Sequence, residues 1–383
     1  MVLLSTLNKG WLVALKKSLL MFVYNDLNKD ARVQRAALAL SEAYVINVIS
    51  IGAAYSTEEF TNTTIELDGK NKYYKYIFFM YSIVKQFKKY EYEYVYAHDY
   101  YSTLPLILIK VLAIFRNIKM KSIYDIHEFM VPVRAENRTV RARVFYCLEL
   151  MVLNFVDQVI CPEKSRAKLA KACYKLNALP KVIRNISCIS ASMKFYNDRT
   201  ELLLKDFFKD NKRKTIVYAG VISFDRKLEE LINSLSGANI DIKILVVGNG
   251  NARDDIERRL SESGMQYLII DMVPFTRLYS ILSRCDIGYL SYPNNSLNNK
   301  YCAPNKIYEY CSVGLPIMLN ANHTIDSYIR KWGIGRNGSD FKNSVRDILK
   351  NYEIYRHNCS IFIEENLWSE EAKLLLEIVD SIE

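Results

Sequence analysis

Short apolar runs alternate with amphipathic stretches along this chain, first from Leu19 to Pro162 and again from Thr215 to Asn320. Such an alternation builds βαβ units, which close into parallel sheets covered by helices on both faces. In the first half, residues 18–24 predict a buried strand, ARVQRAALALSEA a helix and VINVISIG a second strand. YEYVYAHDYY predicts a strand ending in His98 and Asp99, and KSIYDIHEFM one with His127 and Glu128 at its carboxyl end. In the second half, KTIVYAG, DIKILVVGNG, YLIIDMV and DIGYLSY predict strands, with LEELINSLS and TRLYSILSRC as helices between them. The chain has 383 residues, enough for two domains of ordinary size. A charged stretch over 191–214, with one short helix, reads as the linker between them.

Open α/β sheets bind ligands at the carboxyl ends of their strands. Asn25 to Asp30 forms such a loop, without the Gly-rich fingerprint of a dinucleotide site. Asp30 reads equally well as a helix N-cap. His98, Asp99, His127 and Glu128 converge on the same sheet edge, although a lone histidine is commonly a structural one.

The stretch YCAPNKIYEYCSVGLPIMLN, residues 301–320, reads as a loop, a short helix and a buried strand. Pro304 suits the first helical turn, Gly314 the C-terminus, and Pro316 prevents the helix from restarting. Lys306 and Glu309 are the polar positions on that helix. A helix N-terminus attracts phosphate, and a lysine beside it adds a full charge. A carboxylate one turn on can accept two hydrogen bonds from a vicinal diol such as a ribose. The alternative is a surface ion pair at i,i+3.

PNKIYEYCSVGLPIM resembles the donor-binding helix of the retaining family-4 glycosyltransferases. YAGVISFDRKLEELI, VVGNGN and RCDIGYLSY are similar to further segments of that family's donor domain. NDLNKDARVQRAALAL and YDIHEF look like its members in bacterial surface-polysaccharide assembly. The resemblance implies a GT-B fold, α/β, with two Rossmann-like domains facing a central cleft. Residues 1–190 would form the N-terminal, acceptor-side domain, joined by a final helix over 365–383, and 215–364 the donor domain. It further implies that Glu309 holds the donor ribose, that Arg226 and Lys306 clamp the diphosphate, and that His127 lines the sugar pocket. Asn305, Gly220, Lys227 and Val273 fall in the implied nucleotide site, and Asn25, Asp30, His98, Asp99 and Glu128 on the acceptor side. Two departures stand out: Tyr301 replaces the first Glu of the two-glutamate motif, and Val221 replaces a basic residue.

The net charge is +10 and the pI about 9.0, which favours an anionic partner. A nucleotide-sugar donor, a glycan or lipid-linked acceptor and an anionic membrane surface all fit. Nucleic acid is disfavoured, because no helix-turn-helix, RNA-recognition or zinc signature is present. A nucleotide-sugar epimerase of the same fold is the enzymatic alternative. The expected cofactor is none, and the expected metal none: the sequence has no DxD motif, and Arg226 and Lys306 supply the positive charge. The eight cysteines show no metal-binding spacing, and the N-terminal 26 residues lack the order of a signal peptide. Both point to the cytoplasm, and the expected membrane attachment puts the protein at the inner face of the plasma membrane. LPLILIKVLAIFRNIKMK and the aromatic, lysine-rich stretch over 73–90 are the candidate membrane-facing segments.

Overall fold

A computed structural model describes residues 16–66, 71–90, 92–131, 139–187, 198–303, 305–320 and 322–382. Pro304, the first 15 residues and residues 191–197 of the expected linker lie outside the described residues. The chain divides into two compact units, Met1–Asn185 with Ser369–Glu383, and Ile186–Trp368.

The first unit holds a seven-stranded parallel sheet in the order β3-β2-β1-β4-β5-β6-β7. Its strands are β1 (Lys17–Asp26), β2 (Tyr44–Ile51), β3 (Thr61–Ile65), β4 (Tyr94–His98), β5 (Lys121–Asp125), β6 (Gln158–Cys161) and β7 (Lys181–Val182). Leu19 to Phe22 are fully buried, as both covered faces of a parallel sheet require. The order of strands reverses at β1, which pairs with β2 on one side and β4 on the other. In the helix Ala31–Ser41, the Asp30 carboxylate caps the Val33 N–H, and Val33, Ala36, Ala37 and Leu40 form the buried stripe. The last helix, Trp368–Asp380, places Glu371 and Asp380 with this unit. Arg184 donates to Glu371 at 2.6 and 2.7 Å, and the Tyr44 hydroxyl donates to Asp380.

The second unit holds a six-stranded parallel sheet in the order β10-β9-β8-β11-β12-β13. The strands are β8 (Lys214–Ala219), β9 (Ile242–Val247), β10 (Gln266–Ile270), β11 (Ile287–Ser291), β12 (Ile317–Asn320) and β13 (Gly335–Asn337). Its order reverses at β8, between β9 and β11. The stretch expected as a linker contains the short helix read in it. Within it, Arg199–Lys209 is a helix that sinks Leu204 and Phe207 into the core of the second unit. Arg277 anchors its N-terminus through a fork to Asp198 at 2.6 and 2.7 Å. Leu204 and Phe207, three residues apart, are the face of this charged helix that packs.

Candidate functional site

In the second unit the loops after β8 and β9 clasp each other at the switch point of the sheet. The Gly220 N–H donates to the Val247 carbonyl and the Ile222 N–H to that of Asn249, each at 2.9 Å. A Cβ on Gly248 would lie 1.8 Å from the Gly220 carbonyl oxygen, so only glycine permits this approach. Arg253 closes the same edge, donating to the Gly248 carbonyl at 3.0 Å and to Asp271 at 2.8 Å. Sequence reasoning missed Arg253, which looks like any other charge at a helix start.

Arg226 ends a 3-10 turn, Phe224–Arg226, in the loop after β8. Its Nη1 donates to the Ser291 carbonyl at 3.1 Å, and its guanidinium covers the Tyr292 ring at 4.3 Å. Both contacts hold the side chain at the carboxyl end of β11. Lys227 follows in the left-handed region, φ 50°, and its ammonium pairs with Glu230 at 2.7 Å. Glycine would adopt this left-handed backbone more readily than lysine does.

The helix Asn305–Ser312 is held by Tyr310. The Tyr310 hydroxyl accepts from the Ala219 N–H at 3.1 Å and donates to the Tyr289 carbonyl at 3.4 Å, tying the helix to β8 and β11. Gly288 makes room for that ring: a Cβ there would meet it at 2.3 Å. Lys306 pairs with Glu309 across one helical turn. The pair is not the solvated one that the alternative reading required, because Glu309 is only 4% exposed. A buried carboxylate is unfavourable unless it is paired and hydrogen-bonded. Asn305 adds a buried Oδ1 without a hydrogen-bond partner among the described residues. Tyr292 lies within electrostatic reach of both Arg226 and Glu309: burial pushes its phenol up, with Glu309 adding to the rise and Arg226 opposing it. Gly220, Arg226, Asn305, Lys306 and Glu309 thus occupy the loops and the helix start around one sheet edge. Val273, half-buried against the core, lies in the loop after β10.

The first unit gathers a different set at its own switch point. Register places His98 beside Val23 of β1 and Asp125 of β5. Arg32 grips Asp125 with both Nε and Nη2 at 2.9 Å, and its Nη1 donates to the Ile183 carbonyl at 2.9 Å. His98 Nδ1 lies 3.2 Å from His127 Nε2, and the two nitrogens stand 3.6 and 3.7 Å from Asp125 Oδ2. Arg166 donates to the His127 carbonyl and so fixes the loop that carries it.

Burial drives the His98 pKa down. Burial also opposes the charge on His127, but Asp125 outweighs it, with Asp30 and Asp99 helping, and raises that pKa. Asp99 has φ 63°, an uncommon backbone for a residue with a side chain, and burial pushes its carboxyl up to about 6. Its Oδ1 is buried without a partner. Asp30 spends one oxygen on the helix cap and the other on Asn25 at 3.0 Å, so its observed contacts are structural. Glu128 is exposed, close enough to raise Asp99 further.

His98, Asp125 and His127 bring three ligand-type atoms within 4.8 Å of one another. A cation does not fit there well, since both Asp125 oxygens already hold the Arg32 guanidinium. Arg32 and Asp125, 93 residues apart, were missed by sequence reasoning. The only local signal was an aspartate two residues before His127.

No protein-family profile matches the chain, and no curated protein matches it. Solved structures do. Sucrose-phosphate synthase from Thermosynechococcus elongatus aligns with TM-score 0.72 at 12% identity, over 95% of this chain and 98% of that one. HepE from Anabaena, in complex with UDP and glucose, aligns with TM-score 0.71 at 13% identity, over 95% and 100%. WaaG, a glycosyltransferase involved in lipopolysaccharide biosynthesis, aligns with TM-score 0.70 at 11% identity, over 95% and 100%. The fold is GT-B. Each GT-B domain here is Rossmann-like, one parallel sheet with the site residues at its carboxyl edge.

Proposed function

We propose that this chain is a retaining glycosyltransferase. It moves a sugar from a UDP- or GDP-linked donor to a hydroxyl of a glycan or lipid-linked glycan, in assembly of bacterial capsule, O-antigen or exopolysaccharide. The observation that carries this reading is the buried Glu309, paired to Lys306 at the start of a helix whose Asn305 Oδ1 lacks a partner. A buried carboxylate at such a place is suited to accept both hydroxyls of a ribose. Lys306, Arg226 and the helix N-terminus then face the diphosphate, whose charge grows as the sugar leaves. The reading is metal-independent, because these groups supply the positive charge. The similar structures support a nucleotide-sugar donor, since HepE holds UDP and glucose.

A panel of UDP, GDP, ADP and their sugars tests it: the true donor class raises the melting temperature. A charged hydrogen bond contributes about 1.5–3 kcal/mol, so Glu309→Gln is expected to weaken that nucleotide by roughly ten- to a hundredfold. Unchanged affinity would remove Glu309 from the ribose. Product analysis separates transfer from epimerisation, which needs no acceptor.

The same proposal places the enzyme in the cytoplasm, on the inner face of the plasma membrane. Among the described residues, no helix is long and apolar enough to cross a membrane. Three helices of the first unit pack in series, Lys72–Tyr90 against Thr103–Phe115 and that against Val140–Phe155. They expose Tyr73, Ile77, Val111 and Met151, with Ile114 at 77% and Phe115 at 84%. A groove of about 390 Å³ runs among Val111, Ile114, Ile118 and Phe155. Lys85, Lys88, Lys89, Arg116 and Lys119 are exposed on or beside the first two helices. Each cation near an anionic leaflet adds about 1 kcal/mol. Flotation with anionic vesicles is expected, weakened by salt and by charge reversal at Lys119 and Lys121. A protein that stays unbound at low salt has no such attachment.

A further inference from the structure

His98 carries a ring nitrogen that nothing among the described residues satisfies. Its imidazole is fully buried and stacked on Tyr96 with centroids 4.3 Å apart, and its Nε2 has no hydrogen-bond partner among the described residues. The other nitrogen, Nδ1, lies 3.2 Å from His127 Nε2. At that distance one nitrogen donates and the other accepts, because two N–H groups repel.

Two neutral arrangements meet this condition. In the first, His98 donates from Nδ1, its Nε2 is a bare lone pair, and His127 carries its proton on Nδ1. In the second, His127 donates from Nε2, and the His98 proton sits on Nε2 as a buried N–H with no acceptor. Orphaned buried N–H groups are the rarer defect in native interiors, as main-chain groups show.

Asp125 does not rescue the second arrangement. Its Oδ2 already accepts from Arg32 Nε at 2.9 Å and from the Tyr96 hydroxyl at 3.2 Å. It stands 3.6 Å from His98 Nδ1 and 3.7 Å from His127 Nε2, both longer than the contact between the rings, and it lies on the Nδ1 side of His98 rather than at Nε2. His127 is 17% exposed in its side chain, and its Nδ1 is the nitrogen that the described contacts leave open.

We propose that His98 is a positioning residue that holds neutral His127 in the Nδ1–H tautomer, so that the open nitrogen of His127 is always a hydrogen-bond donor. When His127 is protonated both of its nitrogens carry hydrogen, so Nδ1 donates in either charge state; the His98 proton then sits on Nε2, because two N–H groups cannot face each other across the 3.2 Å contact. The carboxylates of Asp30, Asp99 and Asp125 and the guanidinium of Arg32 set how readily that second proton binds. What His127 meets is therefore an acceptor oxygen. On the sugar-transfer reading, on which this step rests, that oxygen belongs to a donor-sugar hydroxyl or to the glycosidic link. The tautomer itself is a property of the chain alone.

Nitrogen-15 histidine labelling reads it directly. Long-range nitrogen–proton correlation spectra distinguish Nδ1–H from Nε2–H rings, and a His127→Gln variant assigns the signal. Above its titration midpoint, wild-type His127 is expected as Nδ1–H. An Nε2–H ring, or an averaged mixture, overturns the proposal whatever the enzyme transfers.

Two variants then test His98 as the cause. His98→Asn keeps an N–H near the position of Nδ1 and is expected to preserve the His127 tautomer. His98→Phe removes the donor and is expected to release it. With turnover established, His98→Phe is expected to lower kcat/KM by about tenfold, the worth of one well-placed hydrogen bond, with nucleotide affinity unchanged. A His98→Phe protein whose His127 remains Nδ1–H would overturn the assignment to His98. Loss of the tautomer in His98→Asn would do the same.

Discussion

Alanine at Arg226 or at Lys306 is expected to lower kcat by about 10²–10³, the usual loss when one preorganised stabiliser of developing charge is removed. The two variants should differ in stability. Arg226 is half-buried, with one hydrogen bond to the Ser291 carbonyl and a face against Tyr292. Its removal leaves no buried charge behind. Lys306 is the partner of Glu309, which is buried. Lys306→Ala therefore strands a carboxylate and lowers the melting temperature as well as turnover. Lys306→Ala with Glu309→Gln should recover that stability but not the rate. Melting curves and single-turnover kinetics on the same preparations separate the two effects. Wild-type kcat in both single variants would place the phosphate clamp elsewhere. Turnover should also survive EDTA, since the proposed charge comes from side chains and a helix end.

The parallel sheets were legible because their strands are continuous apolar runs bounded by turns, as in Leu19–Phe22 and Ile242–Val247. The strand TNTTI, β3, carries no such signal: it is an edge strand with a single fully apolar residue. The helix Arg199–Lys209 was legible as a short helix in a charged stretch, but its docking was not, because that rests on only two buried side chains. Lys306 and Glu309 were legible because their relation is local, one helical turn. Whether the pair was buried was not, because burial depends on Tyr310 docking the helix under β8 and β11. Asp30 shows the same limit from the other side: its residue type allowed a binding role or a cap, and only the fold shows that the cap is made. Nothing local announces that Arg32 reaches Asp125, yet that contact sets the charge around His127.

That contact gives the second large effect. Arg32 is 8% exposed and Asp125 1%, and each guanidinium–carboxylate hydrogen bond is 2.9 Å. Removing one partner of a buried pair costs about 3–5 kcal/mol, because the other charge is left uncompensated. Arg32→Met is expected to destabilise the first unit by that amount, measured by amide hydrogen exchange in β1, β4 and β5. Arg32→Met with Asp125→Leu should be much less destabilised than the sum of the single variants, since neither charge remains. The pH dependence has a definite sign. Burial pushes Asp125 up, but Arg32 and the two histidines outweigh it and hold the carboxyl well below the usual range. The pair therefore contributes its full stability above the unfolded carboxyl pKa of about 3.9 and loses it as the pH falls toward the folded value. In Arg32→Met the burial term is left with only the histidines against it, so the folded carboxyl is expected to bind its proton more readily. The gap between wild type and variant should then narrow as the solution is acidified. A gap that stays constant with pH, or widens in acid, would mean that Arg32 stabilises the unit by packing and through the Ile183 carbonyl rather than through the charge of Asp125.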